Sequence, residues 1–209
     1  QHSPFLFTKF VIQYSVINLI ILLDVDVNNF VYADAVRAFV MMVDLWQFEE
    51  GTFPGVTLIL NMDKVSIGHM SRIDLKVAQQ FFYFLQEAMF VRLKEFHFLN
   101  APSYIDTLLT MVQPFMRKDM LDILKVHKVD SNTIYDYIPK SALPKGIGGD
   151  NKDADTLKCR IWNKIKENEK FFEDESKKRV NESKRPGKPK DLSTFFGSIE
   201  NNFKNLEID

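Results

Sequence analysis

One cysteine in 209 residues, Cys159, excludes an internal disulfide and any thiolate-only metal cluster within the chain. A reducing compartment fits that count. Net charge is close to nil at −1, so the whole molecule has no field that would steer it to nucleic acid. The longest greasy stretch, FVIQYSVINLIILL at 10–23, is broken by Gln13 and Asn18 and closed by Asp24, too short for a helix to cross a bilayer. No GxSxG elbow and no HExxH pair occurs. Cys159 falls on an outer helix without a sign of activation. The chain therefore offers no evident activated nucleophile and is expected not to be an enzyme. It begins with Gln rather than Met, which points to a processed chain or a fragment.

What is present in excess is phenylalanine, 19 residues against 2 Trp and 6 Tyr. Phenylalanine carries no polar atom to satisfy, so it suits a solid core and the wall of an apolar cavity equally. The pattern along the chain is that of an α/β protein. Residues 34–48 place Val36, Phe39, Val40, Val43 and Leu45 or Trp46 on one helical face. VTLIL at 56–60 reads as a strand covered on both sides. Ser71 and Asp74 form a capping box for a helix with Ile73, Val77, Phe81, Phe84 and Ala88 inward. EFHFLN at 95–100 follows as a second strand, which completes a βαβ unit. A helix from 104 ends at Pro114, another starts near Arg117, and KVHKV at 125–129 is a third strand. One long helix is expected from Asp155 to Glu175. Residues 1–30 read as a strand or short helix followed by a turn.

Four features invite sharper readings. The glycines of PKGIGG lie behind the last strand and follow their lysine, the wrong order for a phosphate loop, so they mark corners of positive φ. His69, His97 and His127 lack paired-ligand spacing and are expected to be satisfied by hydrogen bonds rather than by a metal. Asp63, at a strand end, is expected to brace the following loop. SKKRVNESKRPGKPK at 176–190 holds seven basic residues and one acid. It suits a solvated surface or an anionic headgroup, at about 1 kcal/mol per basic residue near anionic lipid. With no aromatic interleaved, it does not suit nucleic acid.

Read in order, GVTLILNMDKVSIGH (55–69), FHFLNAP (96–102), VQPFM (112–116) and IPKSALPKGIGG (138–149) resemble the CRAL-TRIO lipid-binding domain. The branch they are most similar to is that of the alpha-tocopherol transfer protein-like and retinaldehyde-binding carriers. The segment NESKRPGKPK, with the aromatic residues after it, resembles the insect members of that branch. Residues 1–30 resemble neither the family's N-terminal helical bundle nor its first strand pair. The expected organisation is a divergent or incomplete segment over 1–33, the lipid-binding domain over 34–175, and a basic stretch with an aromatic tail packing on the domain over 176–209.

The resemblance implies a Sec14-like α/β fold, with a mainly parallel sheet, flanking helices and a helical gate over an apolar cavity. It implies binding and transfer of one small hydrophobic ligand (a tocopherol, a retinoid or a similar lipid) without a cofactor. It implies a cytoplasmic protein with transient, peripheral contact at phosphoinositide-containing membranes. Leu58, Leu60, Phe81, Phe84, Phe96 and Phe98 become cavity residues. Ile105, Leu108, Leu109, Val112, Phe115, Met116 and Met120 become gate residues. The two lysines that the tocopherol carrier uses on headgroups correspond to Asp119 and Leu121, which leaves Arg117 and Lys118, with Lys184 and Arg185, as candidate headgroup contacts. The alternative reading is a phosphoinositide-binding membrane adaptor with a vestigial pocket.

Overall fold

In the computed structural model, which describes residues 5–12, 15–51 and 54–187, five strands form one sheet in chain order. β1 (Phe5–Ile12) pairs antiparallel with β2 (Ser15–Leu22), from Phe5 opposite Leu22 to Ile12 opposite Ser15. β2, β3 (Val56–Asn61), β4 (Leu93–Ala101) and β5 (Leu124–Lys128) are then all parallel. The first thirty residues thus do contain a strand pair, which corrects their reading as unlike one. Two signals were missing. No Asn-Gly or Asp-Gly marks the link, and β2 is buried continuously from Val16 to Leu22, so its apolar run shows no alternation. The edge strand β1 is itself protected. Its Lys9 is largely buried, ion-paired to Glu50 and 5.6 Å over the Trp46 ring, an inward charge of the kind that discourages edge pairing.

Because the parallel strands are added in one direction and crossovers share one hand, every connection falls on the same face of the sheet. These connections are α1 (Tyr32–Glu50), the short α2 (Ile67–Met70), α3 (Leu75–Tyr83), α4 (Ile105–Val112) and α5 (Lys118–Asp122). Phe39 and Trp46 of α1, Phe82 of α3 and Leu108 of α4 join Phe7, Ile20, Leu58, Phe96 and Phe98 of the sheet in one cluster. The opposite face carries Leu6, Leu19, Ile59 and Leu99. It is covered by the loop residues Ile134, Ile138 and Leu143, together with Leu157 of α6 (Ala154–Glu167).

Five local expectations are corrected. Asp74 alone caps α3, accepting from Lys76 and Val77 N–H, whereas Ser71 closes α2 and donates to Gly68 O at 2.8 Å. The buried apolar side chains of α3 and its end are Ala78, Phe82 and Leu85; of the expected inward set Ile73, Phe81 and Phe84 are half-buried against the same cluster, Val77 is half-buried and Ala88 is exposed. A π-turn over Phe84–Ala88 re-phases its end. The long C-terminal helix is two, α6 and α7 (Glu169–Lys177), separated at Asn168. It is Asn61, not Asp63, whose side chain braces the loop after β3, accepting from Asp63 N–H at 3.3 Å and from Asn100 Nδ2 at 2.8 Å. Of the glycines in PKGIGG only Gly148 has positive φ, at 92°. The tail from 188 onward, expected to pack back on the domain, lies outside the described residues.

Candidate functional site

One row of side chains crosses the sheet on its helical face. Phe7 pairs with Ile20, Ile20 with Leu60, Leu60 with Phe98. Above this row lies a cavity of about 140 Å³. Phe5, Leu22 and Phe96 extend its floor, Ala35, Val36 and Phe39 of α1 and Phe81 of α3 form its sides, and Leu108 and Val112 of α4 close it. Its walls are almost wholly carbon. Drug-sized guests occupy pockets of roughly 300–1,000 Å³, so a guest of that size requires the lining to expand.

Of the expected cavity residues, Leu60, Phe81, Phe96 and Phe98 line this space. Leu58 and Phe84 are packed in the surrounding cluster without lining it. Of the expected gate residues, Leu108 and Val112 line it, while Ile105, Leu109, Phe115, Met116 and Met120 pack around it. Phe115 is completely buried. Phe5, Phe7, Ile20 and Leu22 also line the cavity but are not legible as cavity residues without the strand pair, Ala35 is not among the expected residues, and His69 is expected only as a hydrogen-bonded histidine. Phe5 and Phe7 also border a second cavity of about 370 Å³, between α1 and the α6 residues Asp155, Lys158, Cys159 and Trp162. Neither α4 nor any of the expected wall residues lines that space.

Hydrogen bonds tie both ends of α4 to other elements. At its start the Tyr104 hydroxyl donates to the Val65 carbonyl. Beyond its end, Gln86 on the π-turn donates to Phe115 O at 3.0 Å and accepts from Arg117 N–H at 2.7 Å. The inner face of α4 is apolar, with Ile105, Leu108 and Val112 buried. Arg117 is held by Asp119, at 3.1 Å from its Nε, and by Glu87. These acids raise its pKa and compete for any headgroup phosphate. Lys118 is exposed and in no ion pair among the described residues. Lys184 and Arg185 are exposed in the segment after α7 and line neither cavity.

Two of the three histidines come together and His69 lies apart from them, but no group of His, Cys, Asp and Glu among the described residues is arranged to hold a metal. His97 and His127 form a buried pair on the other face of the sheet, Nδ1 to Nε2 at 2.8 Å. His97 Nε2 lies 3.1 Å from Glu95 and must donate to it, so His97 Nδ1 accepts from His127 Nε2–H. His127 Nδ1 then accepts from the Thr133 hydroxyl at 2.8 Å. With both rings neutral every bond has one proton. Burial lowers both pKa values, and for His127 the neighbouring His97 adds to it. A lowered native value means the unfolded chain takes up the protons first. The stabilisation is present above the ordinary imidazole value of about 6.5 and is lost as pH falls through the lower native values. The expected result is a lower melting temperature near pH 5.5 than near pH 7.5, with both rings titrating by NMR below the ordinary imidazole value. Titration of either ring at or above that value would contradict the arrangement.

Comparison with known proteins matches residues 9–149 to the CRAL/TRIO domain. The start of that match lies inside β1. The human protein named "Alpha-tocopherol transfer protein-like" is 25% identical over 139 residues, 66% of this chain and 40% of its own length. Clavesin-1 from Xenopus laevis is 27% identical over 123 residues, 58% of this chain and 36% of its own. The chain thus spans about two-fifths of the length of these curated relatives. A crystal structure of Sfh5 aligns with a TM-score of 0.40 at 11% identity, covering 71% of this chain and 55% of that one.

Proposed function

Since the chain belongs to the CRAL/TRIO domain family, we propose that it binds one small hydrophobic molecule beneath α4 and transfers it between membranes without altering it chemically. The observation that carries this reading is the carbon-walled cavity closed by Leu108 and Val112, on a helix tied down by hydrogen bonds at its two ends. A guest transferred from water gains about 25 cal/mol per Å² of apolar surface buried. No catalytic group is needed to hold it. The relatives whose printed name includes "alpha-tocopherol transfer protein" favour a tocopherol-like or similar ring-bearing lipid. In this reading the protein works in the cytoplasm and meets membranes transiently. Contact with a phosphoinositide headgroup through Lys118, and through Arg117 once freed from Glu87 and Asp119, assists opening of α4.

The test is an organic extract of the protein purified from cells, analysed by mass spectrometry, followed by transfer of the identified lipid between vesicles. One lipid at near-stoichiometric amount is expected, with transfer faster to vesicles carrying phosphatidylinositol bisphosphate and slower as salt is raised. Flotation with those vesicles, without an extractable lipid or any transfer, favours the membrane-adaptor reading instead.

A further inference from the structure

One of the cavity's lining side chains is a histidine whose tautomer its neighbours fix. His69, 2% exposed, lines the cavity from α2. The backbone N–H of Ser66 points to its Nδ1 at 3.1 Å, and the Ser66 hydroxyl lies 2.8 Å from the same atom. A backbone N–H can only donate, so Nδ1 is an acceptor and the ring proton of the neutral imidazole sits on Nε2. Nε2 is buried and has no hydrogen-bond partner. The ring cannot turn away at no cost, because it would surrender Ser66 and its edge contact with Phe30, whose ring centroid is 5.2 Å away at 85°. Phe30 is itself a cavity residue.

An unpaired donor in a carbon-walled space is costly unless something fills its valence. We propose that His69 Nε2–H is the polar anchor of the site and selects a neutral guest with one acceptor oxygen, a hydroxyl or carbonyl, over a hydrocarbon and over a carboxylate. This rests on the carrier reading and adds to it the chemical class of the guest. A carboxylate is disfavoured because a neutral donor does not repay burial of a full charge. Burial, aided by nearby Arg72 and opposed by Asp24, keeps the ring below the usual imidazole range and so uncharged near neutrality. Tyr32 also lines the cavity, and burial and the charge of Asp74 raise its pKa, so its phenol stays protonated. Its hydroxyl is the second polar group a guest can meet, and the test separates the two.

The probes are tetralin and 1-tetralone, which share a ring skeleton and differ by one carbonyl oxygen, competing with Nile red on the full chain. The quantity read is the tetralone-to-tetralin affinity ratio. It is expected to fall about tenfold in His69→Phe, the worth of one neutral hydrogen bond, and to be largely kept in His69→Gln, which retains a donor. Tyr32→Phe is expected to leave it within twofold. In the wild-type protein, so independently of how the variants fold, the His69 Nε2 resonance is expected to shift with tetralone and not with tetralin. An unchanged ratio in His69→Phe, or an Nε2 signal indifferent to tetralone while tetralone binds, overturns the anchor and leaves the carrier reading standing. Failure of the wild-type protein to bind either probe or Nile red overturns the carrier reading, and the anchor with it.

Discussion

Gly149→Ala is expected to abolish folding or to cost at least ~4 kcal/mol, the range reserved for severe steric or core lesions, whereas Gly146→Ala three residues earlier is expected to be nearly neutral. A Cβ on Gly149 would lie 1.8 Å from the carbonyl oxygen of Leu143 and 2.2 Å from its carbon, and neither atom can swing aside as a side chain does. Leu143 is fully buried beneath the sheet, and its carbonyl accepts from Asn151 N–H at 3.0 Å. Gly149 N–H in turn donates to Pro144 O at 2.9 Å. The corner is therefore built from backbone packed on backbone. A Cβ on Gly146 meets nothing within 4 Å. Soluble yield and chemical denaturation of the two variants check this. A Gly149→Ala protein melting within a couple of degrees of wild type would show that Leu143 can move.

That corner illustrates how the sequence was legible and where it was not. The order of prolines, lysine and glycines was enough to dismiss a phosphate cradle, because the chemistry of such a loop demands the reverse order. It was not enough to say why each glycine is there. Gly148 supplies a positive φ, Gly149 supplies the absence of a Cβ, and Gly146 supplies neither. The distinction depends on what the folded chain brings alongside.

The same division runs through the cavity. Phe96 and Phe98 are expected as wall residues from the family resemblance, and two residues of separation on β4 put both on one face. Leu58 and Leu60 share a face as well, yet only Leu60 borders the cavity. What separates them is position along the strand, which is set by register with β2 and β4. Phe84 was placed with Phe81 by a helical period that the π-turn interrupts from Phe84 onward. His69 was read as an ordinary loop histidine. The available clue was its spacing from Ser66, the three-residue step of a capping box with histidine in the place of glutamate. A cavity is a shortage of atoms between elements distant in sequence, so no single segment records it.

For the same reason the most informative substitution is one that adds atoms where the shortage is. Ala35→Leu is expected to lower affinity for an apolar guest at least tenfold while leaving the melting temperature unchanged or raised. Ala35 is buried on α1, and its methyl group faces the empty space. Three added carbons that fit there contribute up to about 0.8 kcal/mol per methylene to the unliganded protein. They also occupy the volume a guest must enter. Ala78 supplies the control. It is wholly buried on α3 and lines neither cavity, so Ala78→Leu overpacks a filled core and is expected to cost roughly 1–3 kcal/mol. The same chemical change thus has opposite effects on stability at two buried helical alanines, and only one of them competes with a guest. Melting curves and Nile red titrations of the two variants give both quantities. If Ala35→Leu destabilises as Ala78→Leu does and Nile red binds as tightly as before, the space beneath α4 is not where a guest resides.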